Sequence, residues 1–359
     1  MKKIISLALC FVLALLMLVS CDDQVIGDGI HNYPETNDTV ERLDLNMYII
    51  TGDSTTVEAT RSVATRISGY TKITYSTSLN ITYLKASEYE AAVKSAISAG
   101  GNNVPHIILI NDLSLFNTLK AENKLADLTD YYGTNEYGRL KTQLAAPLLE
   151  KSYVDGKIYT VPNNRILGEY TYLVINKEVA VQTLKYTNAE LLSYDSLEDA
   201  AELMTEMTNN GYNAEELVKL VTGPYELRET LLEENFCNIV KVPVVTEEDA
   251  FSSAFAVVNN SSKKYNDRAM QIIYAINNDI ELRNFLQYGV LGANFNVVNG
   301  DIVRIKTGEN IYDMNLEFTG NIFNADNCSE LELTETKKAY GILQNADSKA
   351  AEEKSDVEE

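Results

Sequence analysis

Two histidines, His31 and His106, are all that 359 residues provide. Zinc sites and Ser-His-Asp hydrolysis both lean on histidine, so neither chemistry has its material here. A glycosidase needs two carboxylates about 5–10 Å apart across a cleft. Acidic side chains abound, 52 Asp+Glu against 30 Lys+Arg, but no motif marks such a pair. There is no G-x-x-x-x-G-K-[ST] loop to cradle phosphate, and Gly100-Gly101 reads as a helix end followed by a turn. Nor is there a D-x-[DN]-x-[DN]-G calcium loop. No catalytic residue, metal or cofactor is therefore expected. The formal net charge of −22 also argues against nucleic-acid binding through a basic face. What the chain holds in quantity is 22 tyrosines, with no tryptophan, and side-chain amides that both donate and accept hydrogen bonds.

The composition, 45% hydrophobic and 23% charged, is that of a globular protein, and the length suits about two domains. The ends read differently from the body. Lys2 and Lys3 precede an apolar run from Ile4 to Val19 broken only by Ser6, which reads as a signal peptide over residues 1–20. The run falls short of the roughly 20 residues that span a bilayer. It closes on Leu18-Val19-Ser20-Cys21, which resembles the bacterial lipobox, where the cysteine is acylated and becomes the mature N-terminus. The rival reading is an ordinary secretory signal that happens to hold a cysteine. Two acyl chains on Cys21 would suffice for stable anchoring outside the cell membrane. Residues 21–41 then read as a flexible, lipid-anchored linker, and 345–359, with six acidic residues and two lysines, as an acidic disordered tail. Cys237 and Cys328 remain in a compartment that permits disulfides, either bridged or as two separate thiols.

Between the ends, strand and helix signals alternate. Leu43–Ile50 reads as a buried first strand. Thr55 to Ser68 has helical spacing at Val57, Arg61, Ala64 and Ile67, and Ile73–Leu84 is strand-like. Ser87 with Glu90 predicts a capped helix through Ala99, and Val104–Ile110 a central strand. That order predicts a parallel α/β sheet. Ligands on such sheets gather at the carboxyl ends of strands, which points to Thr51-Gly52-Asp53 and to Asn111 and Asp112. Ordinary β–α turns and helix caps are the alternative there.

Several segments in order resemble extracellular solute-binding proteins of family 1, the maltose-binding-protein-like group. They are Pro105–Asp112 with Phe116 and Leu125–Asp130, the Tyr153–Pro162 hairpin turning on Asp155-Gly156, and Glu169–Lys177. Thr222-Gly-Pro-Tyr225, then Ala254–Asn260 and Asp267–Asn277, continue the series, so that about residues 42–345 are covered. The resemblance implies a two-lobed, periplasmic-binding-protein-like (type II) α/β fold with a hinge and an interlobe ligand cleft. The expected first lobe is 42–165 plus 246–288. The second, smaller lobe is 166–245 plus 289–344 with C-terminal helices. The chain departs from the family in the short stretch from Leu173 to Gly223 and in having no tryptophan to stack on sugar rings.

The same resemblance implies a non-enzymatic lipoprotein of an ABC importer. It would capture an extracellular solute, an oligosaccharide or other polar metabolite, and deliver it as a monomer to permease subunits. A lipid-anchored sensor or adhesion module that kept the fold is the alternative. The expected ligand contacts are Asn111, Asp112, Asn163, Asn164, Tyr170, Tyr172, Tyr225 and Glu226. Turn hydrogen bonding competes for the Asn163–Asn164 pair and core packing for the Tyr170–Tyr172 pair. Tyr225 comes from the Gly-Pro-aromatic resemblance, whose ring packs on the ligand. A solvated helix-start carboxylate is the rival reading of Glu226.

Overall fold

A computed structural model describes residues 41–326, except Ile166, Val179, 182–184, Glu226, Ser261 and Ala325. Cys21, Glu226 and Cys328 lie outside the described residues, as do the expected leader, the expected linker up to residue 40 and the expected acidic tail.

Strand β1 (Leu43–Thr51) feeds helix α1 (Val57–Thr74), then β2 (Thr77–Lys85) and α2 (Ala86–Ala99). Thr56 caps α1 by accepting from the Ala59 N–H. The buried stripe of α1 is Ala59, Val63, Ile67 and Thr71, one residue in four, while Val57 is 74% exposed. The spacing read from the sequence thus shared only Ile67 with the observed face. Ile73 belongs to the last turn of α1 and is exposed, so β2 starts at Thr77, after Ser76 breaks the chain at positive φ. Packing of the α1 stripe overrides the β-branched propensity of that segment. Helix α2 springs directly from β2 at Lys85 without a side-chain cap, and Glu90 instead pairs with Lys94 at 2.5 Å. The predicted Ser87–Glu90 cap is absent because Ser87 is already inside the helix.

Next come β3 (Ile107–Ile110), four residues fully withdrawn from water, and α3 (Leu113–Ala121), capped by Asp112. Short helices α4 (Thr129–Tyr132), α5 (Gly138–Gln143) and α6 (Ala146–Lys151) lead to a hairpin of β4 (Tyr153–Val154) and β5 (Lys157–Ile158). Asp155 and Gly156 both take positive φ there, 54° and 76°, as a two-residue hairpin turn of matching twist requires. β6 (Thr160–Pro162) returns to the main sheet.

The chain then leaves for a second sheet. β7 (Glu169–Asn176) is its centre, followed by α7 (Asn188–Ser193), α8 (Leu197–Asn209), α9 (Ala214–Leu217) and β8 (Val218–Gly223). α10 (Leu227–Leu232) and β9 (Asn235–Val244) complete an antiparallel sheet ordered β8-β7-β9. Alternation along β7 divides two cores. Leu173 and Ile175 pack with Leu191, Leu203 and Met207, while Tyr170, Tyr172 and Val174 pack with Cys237. Burial pushes the Cys237 thiol up to about 11, so it is an unreactive core group.

Helix α11 (Glu247–Phe251) and β10 (Ala254–Val257) bring the chain back, and α12 (Lys263–Asn278) and α13 (Ile280–Tyr288) cover the sheet. The main sheet is ordered β2-β1-β3-β10-β6. It is parallel through β2, β1 and β3, but β10 runs antiparallel to β3 and β6. The parallel order predicted from sequence for the first three strands is observed, and the returning β10 makes the whole sheet mixed. β10 re-enters from the edge at which β6 departs, so its direction is reversed. The last hairpin, β11 (Phe295–Val298) and β12 (Asp301–Arg304), precedes a coil that returns to the first sheet. Residues 289–326, grouped from the sequence with the second lobe, bond instead to first-sheet elements. The Gly52 N–H donates to Asp313 O at 2.8 Å, Ser54 Oγ to the Asp313 carboxylate at 2.7 Å, and Tyr312 Oη to Tyr83 Oη at 3.2 Å. Fully buried Arg283 holds the same coil through Leu316 O and Asn321 O.

His106 gives the first sheet a pH dependence. Its Nδ1 accepts the Asn46 N–H at 3.0 Å, and its ring stacks on Tyr265. Burial lowers its pKa from the ordinary 6.5, so the folded protein favours the neutral ring. The stabilisation is complete above the ordinary value and is lost as pH falls through the folded one. His106→Asn keeps an acceptor that does not titrate. Urea midpoints at pH 7.5 and 5 are therefore expected to fall more for the native chain than for the variant; equal falls would contradict this.

Candidate functional site

The register of the first sheet sets one edge. Ala254 of β10 lies opposite both Ile110 of β3 and Pro162 of β6, and β1 runs parallel to β3 with Met47 opposite Ile107. The carboxyl ends of β1, β3 and β6 and the start of β10 therefore converge. Both connections to the second sheet, 163–168 and 245–253, leave from this edge. The second sheet presents its matching end there, where Glu169 pairs with Val244 and Tyr170 with Gly223.

The two connections are tied together by Arg165, which is 3% exposed. Its Nη1 donates to Asn163 O and Ser253 O, both at 3.3 Å, and its Nη2 to Asp249 O at 2.8 Å and Ser252 Oγ at 2.6 Å. Nε faces the Glu317 carboxylate at 3.5 Å. Burial pulls this guanidinium below its ordinary value, with Glu317 and Asp249 opposing. Both Nη groups have acceptors and Nε faces a carboxylate, which is what makes a buried cation tolerable.

The residues singled out in the sequence fall into three groups. Asn163 and Asn164 are buried in the first connection. Asn163 Nδ2 donates to Ser253 Oγ and Glu317 O, both at 2.9 Å, and Asn164 Nδ2 to Gln143 O at 2.9 Å. Their Oδ1 atoms, and that of Asn111, are buried with no hydrogen-bond partner among the described residues. Asp112 caps α3, one carboxylate oxygen accepting from the Leu115 N–H at 2.7 Å. Tyr170 and Tyr172 share one face of β7, as alternation requires, and both are completely buried. They carry Tyr225. Tyr172 Oη donates to Pro224 O at 3.1 Å, and the half-buried Tyr225 ring meets Tyr170 edge-on at 5.6 Å.

Beside the converging edge lies a shallow, solvent-open cavity of about 540 Å³ lined by Asp112, Leu113, Ser114, Asn117, Thr118 and Glu248, of which Ser114, Asn117 and Glu248 are exposed. The side chains of Ser114, Asn117 and Glu248 make no hydrogen bond or ion pair with the described residues. A cavity of about 520 Å³ at the opposite end of β1 differs in kind, because its charges pair among themselves, Lys263 with Asp267 and Lys264 with Glu41. Sequence reasoning missed Arg165, Ser114, Asn117 and Glu248. Arg165 left a signal, as the lone charge between Pro162 and Glu169. The cavity left none, since α3 and α11 meet only in the fold. Among the described residues no three His, Cys, Asp or Glu side chains gather to hold a metal ion.

This architecture of two sheets joined by paired connections is the type II fold of extracellular solute-binding proteins. No family model matches the sequence, nor does any curated protein. Among solved structures, the N-glycan transport solute binding protein NgtS of Streptococcus pneumoniae is similar at a TM-score of 0.55 and 16% identity, over 85% of this chain and 83% of that one. The same protein in complex with Man1GlcNAc aligns at 0.53 and 14% identity, over 84% and 83%. Its Man5GlcNAc complex aligns at 0.52 and 16% identity, over 84% and 82%.

Removing Arg165 takes one donor each from Asn163 O, Ser253 O, Asp249 O and Ser252 Oγ and removes the cation that faces Glu317. Arg165→Ala is expected to destabilise the chain by about 1.5–3 kcal/mol in urea unfolding, the scale of buried hydrogen bonds to a charged donor, and Arg165→Lys by nearly as much, since an ammonium cannot reach all five acceptors. A loss under about 1 kcal/mol, the scale of a surface pair, would contradict this role.

Proposed function

We propose that this chain is the lipid-anchored substrate-binding component of an ABC importer, tethered by Cys21 to the outer face of the cell membrane. It holds an extracellular oligosaccharide between its two sheets and hands it to permease subunits, without performing chemistry on it. The observation that carries the reading is the placement of uncommitted polar side chains at the one edge from which both inter-sheet connections leave. A solute bound there touches both lobes, so binding energy is available to close the hinge.

In this reading Asn111, Asp112, Ser114, Asn117 and Glu248 receive the solute on the first lobe. Tyr225, propped by Tyr170 and Tyr172, closes onto a ring face from the second, and Glu226 beside it is a further candidate. Tyrosine substitutes for the absent tryptophan, with an apolar face for the sugar and a hydroxyl for its edge. Asn163 and Asn164 act at the hinge, where their amides already hold the first connection. The NgtS complexes with mannose-containing glycans support a carbohydrate as the solute.

The test is a thermal-shift screen of residues 22–359 against oligosaccharides, peptides and polyamines. A ligand at about 100 times its dissociation constant adds roughly 2.7 kcal/mol, a rise of several degrees. The expected result is a carbohydrate hit that Tyr225→Ala abolishes while leaving the unliganded melting temperature within a few degrees. A panel that leaves the melting temperature unmoved would overturn import in favour of a sensor or adhesion role.

A further inference from the structure

The pole of the first lobe away from the cleft holds the second cavity, about 520 Å³, between residues 131–137 and α12. Its walls are braced. Tyr131 Oη donates to the Asp267 carboxylate at 2.6 Å, and Lys263 pairs with the same carboxylate at 2.5 Å. Lys263 Nζ also stands 5.8 Å from the centre of the Tyr131 ring, which meets Tyr137 edge-on at 5.7 Å. The Gln271 side chain, in the same lining, makes no hydrogen bond with the described residues. The cations Lys263, Lys264 and Arg268 balance the carboxylates Glu41, Glu136 and Asp267, on a chain of net charge −22. A segment carrying an aspartate is therefore repelled less here than over the rest of the surface.

The chain enters its fold at this cavity. Glu41 and Leu43 line it and Arg42 between them does not, as the alternation of an extended chain requires. Helix α12 already grips the entry. Lys264 pairs with the Glu41 carboxylate at 2.8 Å, and Arg268 Nη2 donates to Glu41 O at 3.4 Å. The same alternation, carried back from Glu41, turns Thr39 and Asn37 toward the cavity and leaves Val40 and Asp38 on the other side. A hydroxyl and an amide both donate and accept, so they suit the Gln271 amide and the paired charges of the wall. Five extended residues span about 17 Å, long enough to cross a cavity of this volume.

We infer that residues 36–40 lie as a strap in this cavity, so that the chain is seated on the first lobe before it enters β1. The occupant is this chain's own segment, continuing the contact that α12 makes with Glu41, and not a solute or a second copy. The seat stands the length of β1, nine residues or about 30 Å, from the edge where the two sheets meet. Under the anchoring proposed above, a pull on Cys21 then reaches the first lobe alone, at the pole away from the cleft. Closure of the second lobe is left unhindered. The strap goes beyond the import reading and does not depend on it.

The experiment is hydrogen–deuterium exchange of residues 22–359 without ligand, read at the amides of 37–40. They are expected to exchange at least about tenfold slower than free-chain rates, whatever the protein concentration. Lys264→Glu should return them to free-chain rates while β1 and α12 stay protected, and adding Glu41→Lys should restore the protection. Free-chain exchange of 37–40 in the native chain overturns the strap and leaves the cavity to a solute, whether or not any variant folds. Protection that falls away on dilution overturns it in favour of the same segment from a second copy. Protection that survives Lys264→Glu overturns the seat on α12. Each of these outcomes leaves the import reading standing.

Discussion

A single buried guanidinium joins the two halves of this molecule. Arg165 sits where the chain passes from one sheet to the other, and it reaches the returning chain at Asp249, Ser252 and Ser253 as well as the C-terminal coil at Glu317. Three segments distant in sequence are thereby fixed at one point. A planar fork with five donors suits this task, because each acceptor is a backbone carbonyl, a hydroxyl or a carboxylate in a different direction. Asn163 extends the tie, its N–H and amide both bonding to Ser253. With this knot rigid, bending between the sheets must fall in the few residues between the knot and Glu169 on one side and Val244 on the other.

The two lobes bring different chemistry to the edge they share. The first contributes short polar side chains at strand and helix ends, held by sheet register. The second contributes one aromatic ring, Tyr225, on a buried tyrosine pair whose hydroxyl fixes the Pro224-Tyr225 backbone. In the proposed reading, the polar groups of the first lobe orient a hydroxyl-rich solute before the aromatic face of the second excludes water from it. The C-terminal coil adds a constraint, since Asp313 packs on the β1 turn so closely that a Cβ on Gly52 would stand 2.8 Å from its carbonyl. The Thr51-Gly52-Asp53 turn is thereby committed to the coil, and the open part of the edge shifts toward α3.

What could be read in the sequence was what short-range rules decide. The continuous apolar run Ile107–Ile110 and the Asp155-Gly156 turn announce a central strand and a hairpin through local chemistry alone, and both are present. The ordered segments resembling solute-binding proteins pointed to the type II fold. Where propensity and packing disagreed, packing decided: Ile73 reads as strand yet ends α1, and Ser87 reads as a cap yet lies inside α2. The direction of β10 was illegible because it depends on the whole second sheet inserted before it. The cavity of Asp112, Ser114, Asn117 and Glu248 was illegible for the same reason, being formed by helices more than a hundred residues apart.

In the proposed function, a solute bound at this edge draws the two sheets together about the Arg165 knot. Small-angle X-ray scattering of residues 22–359, with and without an oligosaccharide that raises the melting temperature, tests it most directly. A smaller radius of gyration is expected in the saturated protein, and no contraction when Tyr225→Ala is titrated with the same sugar. An unchanged radius in the saturated native chain would contradict closure.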